Sequence, residues 1–243
     1  MPRRKEQFEN GDICHVILRA IDDNLLFKNT DDYYRGIFSI YEFNNGNPVN
    51  IRRRRENRKK EKITEPRRAR GSAGYVDNRD RLVDVLAFCF MPNHIHLLLK
   101  QTKDNGISKF MQKLGGGYGR YFNDKYKRKG HVFQDSYKLI LIEDDKQLLT
   151  VAPYIFTNPI ALIEPEFKEK GIRVHSSEEI IKFLEDYKWS SYQDYIGVKN
   201  FDSVTQRDFL LETIGGAQGC KDIVAGWISR KKDLGQFSNL YLE

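Results

Sequence analysis

Hydrophobic and polar positions along the chain fall into runs of two kinds. Residues 13–21, ICHVILRAI, are apolar with β-branched positions among them and read as a strand. Alternation sets His15 on one face with Ile13 and Ile17, and Cys14, Val16 and Leu18 on the other. In the segment that follows, Tyr34, Ile37, Phe38 and Ile40 recur at helical spacing, with Asp31 and Asp32 placed to cap the helix. NNGNPVN then signals a turn. Residues 46–80 carry little to bury and read as a long loop or insertion. Residues 82–91, LVDVLAFCFM, form a strongly apolar run, Pro92-Asn93 marks a bend, and IHLLL reads as the next strand. An antiparallel pair places His94 and His96 near the start of that second strand.

Farther on, Ile107, Phe110, Met111, Leu114, Tyr118, Tyr121 and Phe122 mark a helix over 107–126. Gly115-Gly116-Gly117 weakens it by about 1 kcal/mol per glycine unless a close backbone approach requires them. A basic turn and a strand occupy 126–143. A helix follows over 144–157, started by Asp144 or Asp145, with Pro153 marking a kink or a late start and Asn158-Pro159 ending it. Another helix covers 176–187 with Ser177 as its cap, then comes the polar-aromatic segment KWSSYQDYIG. Shorter helical candidates lie at 205–213 and 218–231. The order strand, helix, strand, strand, helix, strand, helix predicts an α+β fold, a ferredoxin-like split β-α-β sandwich with an antiparallel sheet. The predicted division is a domain over 1–196, carrying the basic insertion at 46–80, and a helical C-terminal extension over 197–243.

Composition supports a folded chain. Of 243 residues, 40% are hydrophobic and 12% aromatic, enough for a core and too much for global disorder. No run approaches the ~18 apolar residues of a spanning helix, so no membrane partner is expected. The N-terminal MPRRKEQFENGD has no apolar stretch of a signal peptide. Cys14, Cys89 and Cys220 are scattered and form no Cys-x-x-Cys pair, which points to a reducing, cytoplasmic setting. The charge is local. Residues 51–70 hold eight Arg, three Lys and three Glu, a net of +8, against +7 for the whole chain, so the remainder is near −1. Such a block meets phosphates or is a solvated insertion, and charge alone leaves both readings standing.

Candidate chemistry centres on MPNHIHLLLK. Residues i and i+2 of a strand share a face, so His94 and His96 point into one site. Two imidazole nitrogens can serve a divalent ion, though a hard ion wants oxygen ligands as well. The plainer reading is a pair of half-buried histidines bonded to backbone. His15 reads as a hydrogen-bonded structural residue. His131 reads as a strand-start surface residue, and His175 lies in a loop. Thirteen tyrosines are present. Most tyrosines pack, but a phenolate beside a metal-bound phosphate can attack phosphorus and form a phosphotyrosine. Composition does not choose among them.

Four segments, FCFMPNHIHLLLK, FMQKLGGGYGRYFNDKYKRKGHVFQDSYK, PYIFTNPI and YKWSSYQDYIG, together resemble the single-tyrosine transposases of insertion sequences, the IS200-like family with its histidine–hydrophobic–histidine motif. Their order and spacing are most similar to the branch associated with repetitive extragenic palindromes, over roughly residues 10–196. The resemblance implies Tyr154 as nucleophile, with His94, His96 and Asn158 holding Mg²⁺ or Mn²⁺. Tyr118, Tyr121 and Tyr126 are its rivals. It also implies a DNA endonuclease and strand transferase acting on single-stranded DNA beside hairpins, through a 5′-phosphotyrosine, as a monomer or a homodimer. Expected DNA contacts are Lys109, Lys113, Arg120, Lys125, Lys127, Arg128 and Lys129, with the block Arg52, Arg53, Arg54 and Arg55 as a second group. The competing expectation is a catalytically silent protein that binds hairpin DNA or RNA.

Overall fold

The computed structural model describes residues 8–54, 56, 77, 79–134 and 137–229. Its elements follow the predicted order: β1 (Ile13–Arg19), α1 (Thr30–Phe43), β2 (Val83–Met91), β3 (His94–Gln101), α2 (Gly106–Tyr126), β4 (Lys138–Ile142) and α3 (Asp145–Thr157). Beyond them lie α4 (Phe167–Lys170), α5 (Ser177–Asp186), α6 (Tyr192–Tyr195), α7 (Asp208–Thr213) and α8 (Gly216–Ser229). The strands pair in the order β2-β3-β1-β4, antiparallel at every step. β1 and β2 are therefore parallel to each other with β3 between them, the split β-α-β arrangement of a ferredoxin-like fold. The sheet is open, not a barrel.

Both faces of the sheet are buried, which explains why β2 and β3 read as continuous apolar runs rather than clean alternation. On one face Cys14, Val16, Leu18, Phe88, Phe90, Leu97 and Leu99 pack against α1 and α2. On the other, Cys89, Met91 and Leu98 pack against α3, α5 and α8. A register shift in β2 between Val85 and Ala87 puts Leu86 and Ala87 together on the second face. Such a bulge bends a strand at the cost of one ladder step.

Local chemistry corrects two predicted caps. α1 is capped by Asn29, whose side chain accepts from the Asp32 N–H, and not by Asp31 or Asp32. Asp32 is needed elsewhere. It is fully buried and takes Lys125 Nζ at 2.6 Å, Tyr126 Oη at 2.5 Å and Tyr121 Oη at 2.9 Å, pinning α1 to α2. Burial pushes its carboxyl pKa up, but the Lys125 and tyrosine hydrogen bonds outweigh that and hold it below the usual value. α5 is capped by Ser176 rather than Ser177, because Glu179 stands three residues on and closes a capping box. α2 runs through its three glycines, and a Cβ at Gly117 would overlap the Phe43 ring of α1. α3 continues through Pro153 without a break and passes into a 3-10 turn, Asn158–Leu162.

Much of the basic insertion lies outside the described residues, Arg55 included. Residues 51–54, expected as loop, form a helical turn whose Ile51 is buried against the first core. Residues 197–229 pack on the body of the protein. Cys220, Val224 and Ile228 of α8 enter the second core, and Gln206 exchanges two hydrogen bonds with the Val85 backbone at the edge of β2. Trp189 O likewise accepts from Phe90 N. The segment after α5 thus covers an edge strand that would otherwise offer unpaired backbone groups.

Candidate functional site

β3 opens with His94, and its register sets Cys89 and Ile17 beside His96, and Met91 and Arg19 beside His94. The two histidines therefore point from the sheet toward α3, and both are buried. Their Nε2 atoms are 3.0 Å apart. Nδ1 of His94 lies 2.7 Å from Asn93 Oδ1, and the Asn93 amide NH₂ is turned to Asp23. An amide oxygen only accepts, so His94 carries its proton on Nδ1 and keeps a lone pair on Nε2.

β1 adds a third ring. His15 lies beside His96 with near-parallel ring planes, centroids 5.3 Å apart, and with His15 Nε2 at 3.1 Å from His96 Nδ1. α3 lays Tyr154 across this group, its ring edge-on to His96 at 5.7 Å and to His15 at 5.8 Å. Burial, then the charges of Arg19 and Lys168, lowers the His94 pKa to about 3. Burial also pushes His96 and His15 well below the usual histidine value. All three imidazoles are neutral near pH 7, the form that ligates a cation.

Lys168 completes the group. It sits on α4, where the buried Phe167 anchors the turn, and its Nζ stands 3.4 Å from Tyr154 Oη. Burial and then the charge of Arg19 lower its pKa to about 8. The loop after α4 is clasped by Glu164, whose buried carboxylate accepts from the backbone N–H groups of Val174 and His175, each at 2.8 Å. The Nδ1 of His175, a residue without signal in the sequence, lies 3.1 Å from the same carboxylate.

The structure thus unites His94, His96 and Tyr154. Asn158 lies one helical turn after Tyr154, but its amide nitrogen donates back to the Tyr154 carbonyl at 3.1 Å rather than to a histidine. Among the described residues no group of three or more His, Cys, Asp or Glu is arranged to hold a metal ion. The donor chemistry nevertheless fits a divalent ion at the pair. Two neutral imidazoles face each other through Nε2 at 3.0 Å. The rival tyrosines lie in the other layer: Tyr118 Oη donates to Leu26 O, and Tyr121 and Tyr126 serve Asp32.

The expected DNA contacts scatter. Lys113 donates to the Asn45, Gly46 and Asn47 carbonyls, and Lys125 is paired with Asp32. Lys109 reaches the Asp104 carbonyl, and Arg120 is exposed beside Asp124 at 3.9 Å. Lys127 ends α2 in a left-handed conformation, with Arg128 over the Phe122 ring and Lys129 exposed. Arg52 pairs with Glu56, Arg53 is exposed, and Arg54 pairs with the buried Glu42. Sequence reasoning missed His15, Asn93, Arg19 and Lys168. Strand alternation gave the face of His15, and only the β1–β3 pairing brings it to His96. Lys168 carries no local signal, since the returning loop brings it to Tyr154.

Compared with known proteins, residues 53–158 match the family described as "Transposase IS200 like", a span that contains both histidines, Tyr154 and Asn158. No curated protein matches the chain. A solved structure titled "Structure of the REP associates tyrosine transposase bound to a REP hairpin" aligns with 83% of this chain and 90% of that one. The identity is 12% and the TM-score 0.42.

Proposed function

This chain belongs to the IS200-like transposase family, and from that premise we propose that it nicks and rejoins single-stranded DNA beside hairpins through a 5′-phosphotyrosine. The observation that carries the reading is the packing of Tyr154 edge-on to His96, which itself meets His94, with Lys168 at the tyrosine hydroxyl. The hairpin part rests on the sequence motifs quoted above.

His94 and His96 would hold the Mg²⁺ or Mn²⁺ that the family implies, with Asn158 turned in to complete the set. When bound, such an ion polarises and orients the scissile phosphate. Tyr154 Oη attacks phosphorus, the bond from phosphorus to the 3′ oxygen breaks, and the 5′ phosphate stays on the tyrosine. Lys168, neutral above about pH 8, takes the phenolic proton, and the departing 3′ oxygen takes a proton from water and leaves as a hydroxyl. A second 3′ hydroxyl reverses the step and joins a new strand. The phosphodiester bond energy is kept in the phosphotyrosine, so no nucleotide is consumed. Arg19, close enough to depress both His94 and Lys168, adds positive charge where a phosphate would arrive.

The test is adduct formation. Labelled single-stranded hairpin oligonucleotides from the flanking genomic DNA are incubated with the protein and Mg²⁺ or Mn²⁺, then denatured. The expected result is a covalent protein–DNA band that needs metal and is absent with Tyr154→Phe. Binding of hairpin DNA or RNA with no adduct under either metal would instead establish the silent binding protein. An adduct that survives Tyr154→Phe would move the nucleophile to another tyrosine.

A further inference from the structure

Four groups stand in line across the sheet: Asn93, His94, His96 and His15. Their contacts are Asn93 Oδ1 to His94 Nδ1 at 2.7 Å, His94 Nε2 to His96 Nε2 at 3.0 Å, and His96 Nδ1 to His15 Nε2 at 3.1 Å. Each contact is a hydrogen bond only if one proton lies in it. The line ends at His15 Nδ1, which is buried and has no hydrogen-bond partner. A buried ring nitrogen left unpaired costs free energy, so this end of the line calls for an account.

Proton counting supplies one. Asn93 fixes the His94 proton on Nδ1, so the proton between the two Nε2 atoms belongs to His96. His96 Nδ1 is then an acceptor, and His15 must donate from Nε2, leaving Nδ1 without a proton. A cation seated between the Nε2 atoms displaces the His96 proton from that position. The neutral His96 ring must then carry it on Nδ1 and donate to His15 Nε2, and His15 in turn carries its own proton on Nδ1. Neither ring changes its charge. What changes is which nitrogen of each bears hydrogen, and the adjoining His15 can either donate to or accept from His96 without moving. A backbone carbonyl could only accept, and a backbone N–H could only donate.

We propose that His15 is a positioning residue of the cation site, a tautomer partner that lets His96 present its Nε2 lone pair when metal enters and satisfies His96 when it leaves. The proposal rests on the reading of His94 and His96 as metal ligands. It assigns the partnerless Nδ1 its function: this nitrogen must be able to gain and lose a proton, so a fixed partner of one kind would lock the site in one state. Partners behind a ligating histidine commonly change metal affinity by about 10- to 100-fold.

The test uses the full chain and metal alone. Mn²⁺ affinity is measured by calorimetry for the native protein, His15→Phe, His15→Gln and His94→Ala, each checked for folding by circular dichroism. Ring nitrogens of ¹⁵N-histidine-labelled native protein are assigned with and without Zn²⁺ as a diamagnetic probe. The expected results are Mn²⁺ binding that is lost in His94→Ala and weakened about 10- to 100-fold in His15→Phe. His15→Gln, whose amide oxygen can accept from His96, regains part of the affinity. In the native protein His96 changes from the Nε2–H to the Nδ1–H form on adding Zn²⁺. Equal affinity of native protein and folded His15→Phe would overturn the proposal while leaving the metal ligands intact. So would a His96 tautomer that is the same in both states, a result that needs no variant to fold. Absence of Mn²⁺ binding by the native protein would overturn the metal reading itself, and this proposal with it.

Discussion

At the scale of single residues, what the sequence could show was identity and spacing, and what it could not show was company. His94 and His96 were legible because two identical side chains two apart on a strand must share a face. Tyr154 was legible only through its resemblance to a family motif, since periodicity alone makes it a core residue beside Ile155. Lys168 was not legible at all, because a lysine fourteen residues later, on a separate short helix, has no periodic relation to Tyr154. Its position leads to a pH prediction. Burial favours the neutral amine and lowers the pKa from the usual lysine value of 10.5 to about 8. If neutral Lys168 accepts the phenolic proton, the reactive fraction is about one tenth at pH 7 and nine tenths at pH 9. Single-turnover adduct formation at saturating DNA is therefore expected to rise about tenfold across that interval and level off above it. Lys168→Arg keeps the positive charge but cannot lose its proton in this range, so the rise should vanish and the rate fall. A native profile that is flat, or an arginine variant with the native profile, would remove Lys168 from the proton path.

At the scale of elements, the order and most boundaries could be read because helix and strand periods differ and turn residues punctuate them. The errors are informative. Asp31-Asp32 looked like a cap, but a buried network holding α1 to α2 claimed Asp32, a tertiary demand that no local pattern reveals. The glycine run in α2 looked uniformly weak, yet its members differ. Gly117 lies where a Cβ would overlap the Phe43 ring, whereas Gly115 and Gly116 have open space around the same position. Gly116→Ala should therefore stabilise the protein by about 1 kcal/mol, the ordinary helix preference of alanine over glycine. Gly117→Ala gains the same preference but must push α1 away from α2, a cost of about 1–3 kcal/mol for overpacking, so it should destabilise on balance. Urea unfolding of the two variants under identical conditions measures the contrast. Shifts of the same sign and size would mean that helix crossing does not depend on the missing side chain.

At the scale of the whole molecule, the start of the basic block, residues 51–54, and the histidine site lie on different sides of the sheet. The helical turn at 51–54 packs on the α1/α2 layer, while the histidines face α3. A cleft of about 1070 Å³ between that turn, α1 and α2 is walled in part by Arg35, Arg52, Arg120 and Lys125, with Glu56 and Asp124 among them. The pairs Arg52–Glu56 and Arg120–Asp124 are solvent-exposed, so each contributes roughly 0–1 kcal/mol and gives way readily to a phosphate. Under the proposed function this placement would separate gripping from cutting, with a duplex stem held on one surface and the adjoining single strand acted on from the opposite layer. Arg54 should be left in place in a test, because it neutralises the buried Glu42. Changing Arg52, Arg53 and Arg55 to Gln removes three charges from the block without disturbing that pair. If these three each meet a stem phosphate, the slope of log affinity against log salt should lose about 2–3 units, at ~0.9 per phosphate. The adduct rate at saturating DNA should not change, since Arg52 and Arg53 stand on the layer opposite Tyr154. Fluorescence anisotropy of a labelled hairpin across a salt series gives the slope, and single-turnover assays give the rate. An unchanged slope would make the block a solvated insertion, as its composition equally allowed. A reduced rate at saturation would show instead that the strand leaving the stem is guided by these arginines to the nucleophile, so that gripping and cutting are coupled through the DNA.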